Sequence, residues 1–186
     1  QLGPLAKKLP HLTVHLYFGS GPDLLLRVRT AEVDCAVTST RFSDPKLDAI
    51  SVHREKYVFC GAATLLARAP FTRPEHACRH TLLDASADLP LFSYFRDAQK
   101  GTAYEFARIV RLGTIGAIRQ RALEGAGVAV LPEYLVEDDL RKRRFRRILP
   151  RVTPLADYFR LVFRIDDPRR SLFEVLAKQM SETPLR

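Results

Sequence analysis

The sequence predicts an α/β fold. Short apolar runs with strand character alternate with amphipathic stretches, the connections between them are brief, and Gly, Pro or Ser sits at most junctions. In chain order, residues 2–9 read as the end of a helix stopped by Pro10. Across 12–18, Leu12, Val14, Leu16 and Phe18 alternate with Thr13, His15 and Tyr17, which is the period of a strand. Gly19, Ser20 and Gly21 break it, and Pro22 with Asp23 suits a first helical turn. Residues 23–30 form a short helix with Leu24, Leu25 and Val28 on one face. Residues 33–38 are the next strand, apolar enough to be buried on both sides. Strands follow at 47–52 and 57–61, then a loop marked by Pro70 and Pro74.

The second half repeats the alternation. Residues 81–85 are a strand followed by the polar turn Ser86, Ala87, Asp88. Residues 106–112 are a strand ending at Gly113. Residues 114–124 are a helix with Ile115, Ile118, Ala122 and Leu123 inward, stopped by Gly125-Ala126-Gly127. Residues 128–131 are a strand, and Pro132 opens a helix over 133–141. Residues 145–149 read as an edge strand and 158–165 as a strong strand. The closing helix, 168–180, carries Leu172, Val175, Leu176 and Gln179 on one stripe. With such short crossovers the sheets are expected to be mostly parallel. There is no internal repeat and no low-complexity segment.

At 186 residues with 46% hydrophobic residues, the chain can build one large domain or two small ones around a real core. No apolar run approaches the ~18 residues of a membrane span, and the first residues lack the pattern of a signal peptide. The chain opens on Gln1 rather than Met, so residues upstream are expected. Cys35 and Cys60 lie in apolar runs and read as buried thiols. With Cys78 they make no framework, which suits a reducing, cytoplasmic setting. The formal charge of +9 is concentrated at Arg141, Lys142, Arg143, Arg144, Arg146 and Arg147. That run reads as a solvated helix end, favoured by the terminal carbonyls, rather than a nucleic-acid reading surface.

Familiar chemistries find little support. His76-x-Cys78-x-His80 lacks the spacing of a standard zinc site and has no second ligand pair. Gly125-x-Gly127 follows a helix and lacks a third glycine, so the dinucleotide reading fails. There is no Gly-x-Ser-x-Gly elbow. Cys60 with His53 makes a poor nucleophile pair, because Cys60 sits in an apolar strand. No catalytic residue, metal or cofactor is expected.

Several segments, in order, resemble the effector-binding domain of LysR-type transcription regulators. They are Leu9-Pro10-His11-Leu12-Thr13-Val14, then Gly19, then Ala31-Glu32-Val33-Asp34-Cys35-Ala36-Val37, where Ala31 stands in a place commonly held by glycine. The strand pair within 47–66 follows. The most recognisable run is Ala122-Leu123-Glu124-Gly125-Ala126-Gly127-Val128-Ala129-Val130-Leu131-Pro132. The resemblance implies a type II periplasmic-binding-protein-like architecture: two α/β lobes, two crossovers and a ligand cleft between them. Lobe one would comprise 1–72 and 154–186, and lobe two 73–153. In the family a central strand precedes the first helix, between the 12–18 and 33–38 strands. Without it those two would stand about 9–10 Å apart with unpaired backbone. Residues before Gln1 are therefore expected to supply that strand and one ligand contact. The DNA-binding winged helix is absent from this sequence.

The resemblance also implies a function and a site. The function is sensing of a small, anionic metabolite by a transcription regulator, with a transporter's solute-binding protein as the alternative. An enzyme on the same fold would need a charged catalytic pair, and none lies near the candidate turns. The effector contacts would be Ser20, Thr38, Ser39, Thr40, Ser86, Gly113, Thr114 and Ile115. Each has a plainer reading. Thr114 suits an ordinary N-cap, Ser20 can cap the helix at Pro22, and 38–40 fit turn chemistry. The implied partners are a small-molecule effector, a second copy in a homodimer or homotetramer, and DNA through an N-terminal domain, with no membrane. The dimer would set the 23–30 helix and the 47–52 strand against the 133–141 helix of another copy.

Overall fold

The computed structural model describes residues 13–87 and 90–183. The expected helix at 2–9 lies outside the described residues. In chain order the elements are α1 (Gly21–Arg29), β1 (Cys35–Thr38), β2 (Leu47–Glu55), β3 (Tyr57–Ala62), α2 (Ala63–Arg68), a 3₁₀ turn (Pro74–Arg79) and β4 (Thr81–Asp84). Then come α3 (Phe92–Arg96), β5 (Arg108–Arg111), α4 (Ile115–Leu123), β6 (Val128–Pro132), α5 (Glu133–Arg141), β7 (Phe145–Arg147), β8 (Asp157–Arg164) and α6 (Arg170–Glu182).

The chain divides into two units. One holds the described residues up to Arg54 and from Asp157 onward, and the other runs from Glu55 to Ala156. The first unit is a three-stranded sheet in the order β1-β8-β2. Its middle strand alternates: Leu161 and Phe163 pack with Val52, Phe173 and Ala177, while Val162 packs with Val28, Ala36 and Leu47. A strand buried on both faces reads as a continuous apolar run, which is why 158–165 stood out in the sequence.

The second unit is a five-stranded sheet in the order β5-β4-β6-β3-β7. β3 and β6 are buried along their whole lengths. Phe59 lies at the centre, with ring centroids 4.7 Å from Phe95, 5.3 Å from Phe71 and 5.6 Å from Phe92. Ile118 and Ala122 of α4 and Val136 of α5 complete one contiguous core. β7 is an edge strand, as the sequence predicts.

Several expectations are corrected. The sheets are mixed rather than mostly parallel: β3 pairs antiparallel with β6 and β7, and β1 with β8, while β4 runs parallel to β5 and β6. Residues 55–72 and 154–156, expected in the first lobe, fall in the second unit, where β3 hydrogen-bonds to β6 in register Phe59↔Val130. β1 is buried on one face only; Ala36 and Thr38 are inside, but Val37 is exposed.

Residues 13–18 form no strand, although they alternate. Alternation becomes a strand only with a ladder partner, and among the described residues β1 pairs with β8. The segment is exposed, Phe18 at 85%. Leu12 lies outside the described residues.

The stripe of α6 is Phe173, Leu176, Ala177 and Met180, not the set containing Val175, which is exposed. Both sets have helical spacing. Phe173 wins because its ring reaches Phe163, with centroids 5.0 Å apart. α2, α3 and the 3₁₀ turn are too short for periodicity to reveal.

Candidate functional site

In the first unit the hydroxyls gather at the start of α1. Ser20 is extended and is the N-cap, its Oγ accepting from the Asp23 amide at 3.3 Å. This takes up one of the first-turn donors that a helix leaves unpaired. Gly21 follows because nothing larger fits: an added Cβ would stand 1.8 Å from Thr40 Oγ1 and 3.0 Å from Thr38 Oγ1. Thr38 ends β1 with its side chain buried, and its Oγ1 accepts from the Thr40 amide at 3.0 Å. That bond ties the backbone leaving β1 back to the strand end. The structure therefore brings Ser20, Thr38 and Thr40 together around Gly21. The Ser39 carbonyl oxygen accepts from Arg160 Nη1 at 3.4 Å, and its side chain has no place in that cluster.

In the second unit the candidate turns meet at the ends of β4 and β5. The Leu112 amide donates to the Asp84 carbonyl and the Gly113 amide to the Ala85 carbonyl, both at 2.9 Å. Gly113 is thereby held beside the Ala85-Ser86 backbone. It adopts φ +75°, a left-handed conformation that favours glycine, with open space where a Cβ would point. Thr114 is the N-cap of α4, its Oγ1 accepting from the Ala117 amide at 3.3 Å. Gly113 and Thr114 are exposed. Ile115 is half-buried and packs against the core, so its side chain is structural and only its amide remains at the helix start.

Asp84 is a residue the sequence reading passed over. It is buried, and its Oδ1 accepts from the amides of Ala85 at 2.8 Å and Leu91 at 2.7 Å. It ties down the loop that carries Ser86. An aspartate closing an apolar strand just before a polar turn was the available signal.

Each unit thus presents a hydroxyl-capped helix start beside strand ends. Residues 2–184 match the family described as the LysR substrate binding domain. The chain belongs to that family. Comparison with the curated proteins gives no match.

Among solved structures, this LysR-type domain is similar to the C-terminal domains of a LysR family protein from Agrobacterium tumefaciens. The identity is 19% and the TM-score 0.79, over 98% of this chain and 88% of that one. It is also similar to a variant of the OxyR2 regulatory domain from Vibrio vulnificus, at 17% identity and TM-score 0.78 over 97% and 86%. The regulatory domain of CrgA, a LysR-type transcriptional regulator from Neisseria meningitidis, matches at 18% identity and TM-score 0.74 over 95% and 88%. In the longer CrgA structure the chain spans 61% of the length. At these identities the likeness shows the shared fold. The family match is to a LysR domain, and none of these comparisons supports the transporter alternative.

His76 Nδ1 is 2.9 Å from the Pro70 carbonyl oxygen, and His80 is buried against the Phe71 ring while Cys78 is exposed. The three thus diverge, and among the described residues no cluster could hold a metal ion. Burial pushes the Cys60 thiol up to about 12, unsuited to a nucleophile. Cys35, expected to be buried, is half-buried, and burial raises its thiol to about 11. In the basic run, Arg141, Lys142 and Arg144 pair with Asp138, and Arg147 pairs with Glu133. Among the described residues no helix is long and apolar enough to cross a membrane.

Proposed function

We propose that this domain senses a small anionic metabolite for a DNA-binding transcription regulator of the cytoplasm. The contacts would be Ser20, Thr38, Ser39 and Thr40 in one unit, and Ser86, Gly113, Thr114 and the Ile115 amide in the other. The supporting observation is that each unit presents a hydroxyl-capped helix start beside strand ends. Free amides at such starts, with the helix dipole behind them, attract anions. The ligand acts by favouring one conformation over another, and only by its differential affinity for the two. The readout is the geometry of a homodimer or homotetramer, built through α1, β2 and α5, that positions DNA-binding domains supplied from the N-terminal side. No cofactor and no catalytic step takes part.

A thermal-shift screen of small carboxylates tests the reading. A ligand at 100 times its dissociation constant adds ~2.7 kcal/mol to stability. Ser20→Ala and Thr114→Val should each reduce the shift beyond their effect on the unliganded protein. Full retention in both would overturn the site assignment. Sedimentation that finds only monomer at high concentration would overturn the oligomeric part.

A further inference from the structure

Sequence reasoning leads to a site of hydroxyls and backbone amides without a charged side chain. The register of the first unit adds one. β8 pairs antiparallel with β1 so that Arg160 stands directly opposite Thr38. Cross-strand partners in an antiparallel pair project from the same face of the sheet. Thr38 is the residue whose hydroxyl accepts from the Thr40 amide and lies against Gly21. The guanidinium of Arg160 is accordingly on the side of the hydroxyl cluster. It is fixed there by Nη1, which donates to the Tyr158 carbonyl at 3.0 Å and the Ser39 carbonyl at 3.4 Å.

The acceptors present use only part of this cation. Both carbonyl bonds fall on Nη1, and the nearest carboxylate, Asp157 Oδ1, is 4.0 Å from the same atom. Asp157 Oδ1 accepts from the Tyr158 amide at 2.7 Å. Among the described residues Nε and Nη2 make no hydrogen bond. A guanidinium carries five N–H donors in a planar fork suited to a carboxylate or another oxyanion. Other arginines of this unit are engaged more fully: Arg164 and Arg169 both bond the Asp167 carboxylate, and Arg170 bonds Asp48 and Glu174. Arg160 is set apart by fixed carbonyl anchors, a single carboxylate at the 4.0 Å limit of an ion pair and bonded to neither Nε nor Nη2, and a place opposite Thr38.

We propose that Arg160 is the charge-selecting residue of the candidate site, binding an oxyanion of the effector beside Thr38, Ser39 and Thr40. This rests on the effector-sensing reading above and names the chemistry it selects. A neutral amide of the same shape offers no negative charge to the guanidinium and is discriminated against.

The test uses sulfate and succinate as anion probes, with succinamide as the neutral counterpart, in thermal-shift titrations at matched ionic strength. Wild type should gain more from both anions than from succinamide. In Arg160→Gln that extra gain should vanish, with anion affinity lower by about tenfold or more, as befits a lost charge-assisted hydrogen bond. Arg160→Lys keeps the charge without the fork and should retain part of the gain. It also serves as the informative variant should the glutamine protein fold poorly. General salting effects are equal in wild type and variant and cancel in the comparison. An anion gain in Arg160→Gln equal to wild type overturns the assignment, as does a wild type that treats succinate and succinamide alike. Equal weakening toward succinate and succinamide also overturns it, because that is the result of a merely structural arginine. Ser20→Ala and Thr114→Val separate the two readings. If they weaken succinate binding and Arg160→Gln does not, the site stands and the arginine falls. If none of the three weakens it, both fall.

Discussion

The two units of this LysR-type domain hold themselves together differently. The unit from Glu55 to Ala156 has one contiguous core around Phe59, Phe95, Ile118 and Leu131. The other has two thin apolar layers, one on each face of a three-stranded sheet. Thin layers bury less, and apolar burial contributes only ~25 cal/mol per Å². The first unit adds charge-assisted bonds in place of a deeper core. Arg169 grips Asp167 at 2.8 and 2.9 Å, and Arg164 donates both to Asp167 at 2.5 Å and to the Val28 carbonyl at 2.8 Å. Those bonds join the end of α1, β8 and the start of α6. Ionic stitching should make that unit the more sensitive to pH, because the depressed carboxylate of Asp167 is buried, whereas the side chain of Asp138, depressed in the other unit, is exposed.

The largest effect should come from the one buried carboxylate of α5. Asp139 is fully buried, with Arg119 Nε 2.7 Å from Oδ2 and Arg144 Nη2 2.5 Å from Oδ1. Removing it takes two charge-assisted contacts away and leaves a cavity beside two partly solvated cations. Asp139→Ala should cost about 3 kcal/mol, the loss of charge-assisted bonding plus a small cavity, read as a lower urea midpoint. Amide-exchange protection should fall in β6 and α5 while β1 and β8 keep theirs. A loss shared equally by the two sets would break the contrast between the units.

Next is Gly127. A Cβ there would meet the Thr81 carbonyl oxygen at 2.4 Å and Leu83 Cγ at 3.0 Å. Backbone cannot give way as a side chain can, so Gly127→Ala should cost about 1–3 kcal/mol by overpacking. Gly61 is the control. Its added Cβ meets the flexible Val128 side chain at 3.1 Å, and Gly61→Ala should be milder. The order of the two melting temperatures checks this.

The larger pH effect is expected in the other unit, where the depressed carboxylate is buried. The guanidinium of Arg169 holds Asp167 at about 2, below its ordinary 3.8. A depressed carboxylate stabilises the fold at pH values above its unfolded pKa, and that stability is lost as pH falls through the folded one. Protection of β1, β8 and α6 should therefore decline between about pH 4 and pH 2. Asp167→Asn should remove that dependence. A decline of the same size in the asparagine variant would assign it to another group.

How much of this was legible follows from the length scale of each signal. Glycine punctuation was readable: Gly125 has φ +78° and ends α4, and Pro132 opens α5 as expected. Long apolar runs were readable, since β6 and β8 need only local composition. Pairing was not. Whether β3 joins β6 or β2 depends on partners seventy residues away, and so the sheet direction and the unit boundary at Arg54 were misjudged. The hydroxyl turns of the site were legible because caps and turns are local chemistry. Arg160 was not, because nothing in residues 158–165 says that it will stand across from Thr38.

The smallest effect sharpens the comparison most. Ser20 and Thr114 cap their helices with the same geometry, each oxygen 3.3 Å from an amide three residues on. Both helices are nine residues long. Losing either cap should therefore cost a similar ~1 kcal/mol, and Ser20→Ala and Thr114→Ala should lower the melting temperature by similar amounts. Because the structural loss is matched, a difference in how the two variants respond to an anion cannot come from capping. A larger loss of succinate response in Ser20→Ala would place the charged end of the effector in the unit that holds Arg160. A larger loss in Thr114→Ala would place it in the unit of the Gly113 turn, where no cation has been assigned, and would leave the helix-start amides as its main hold.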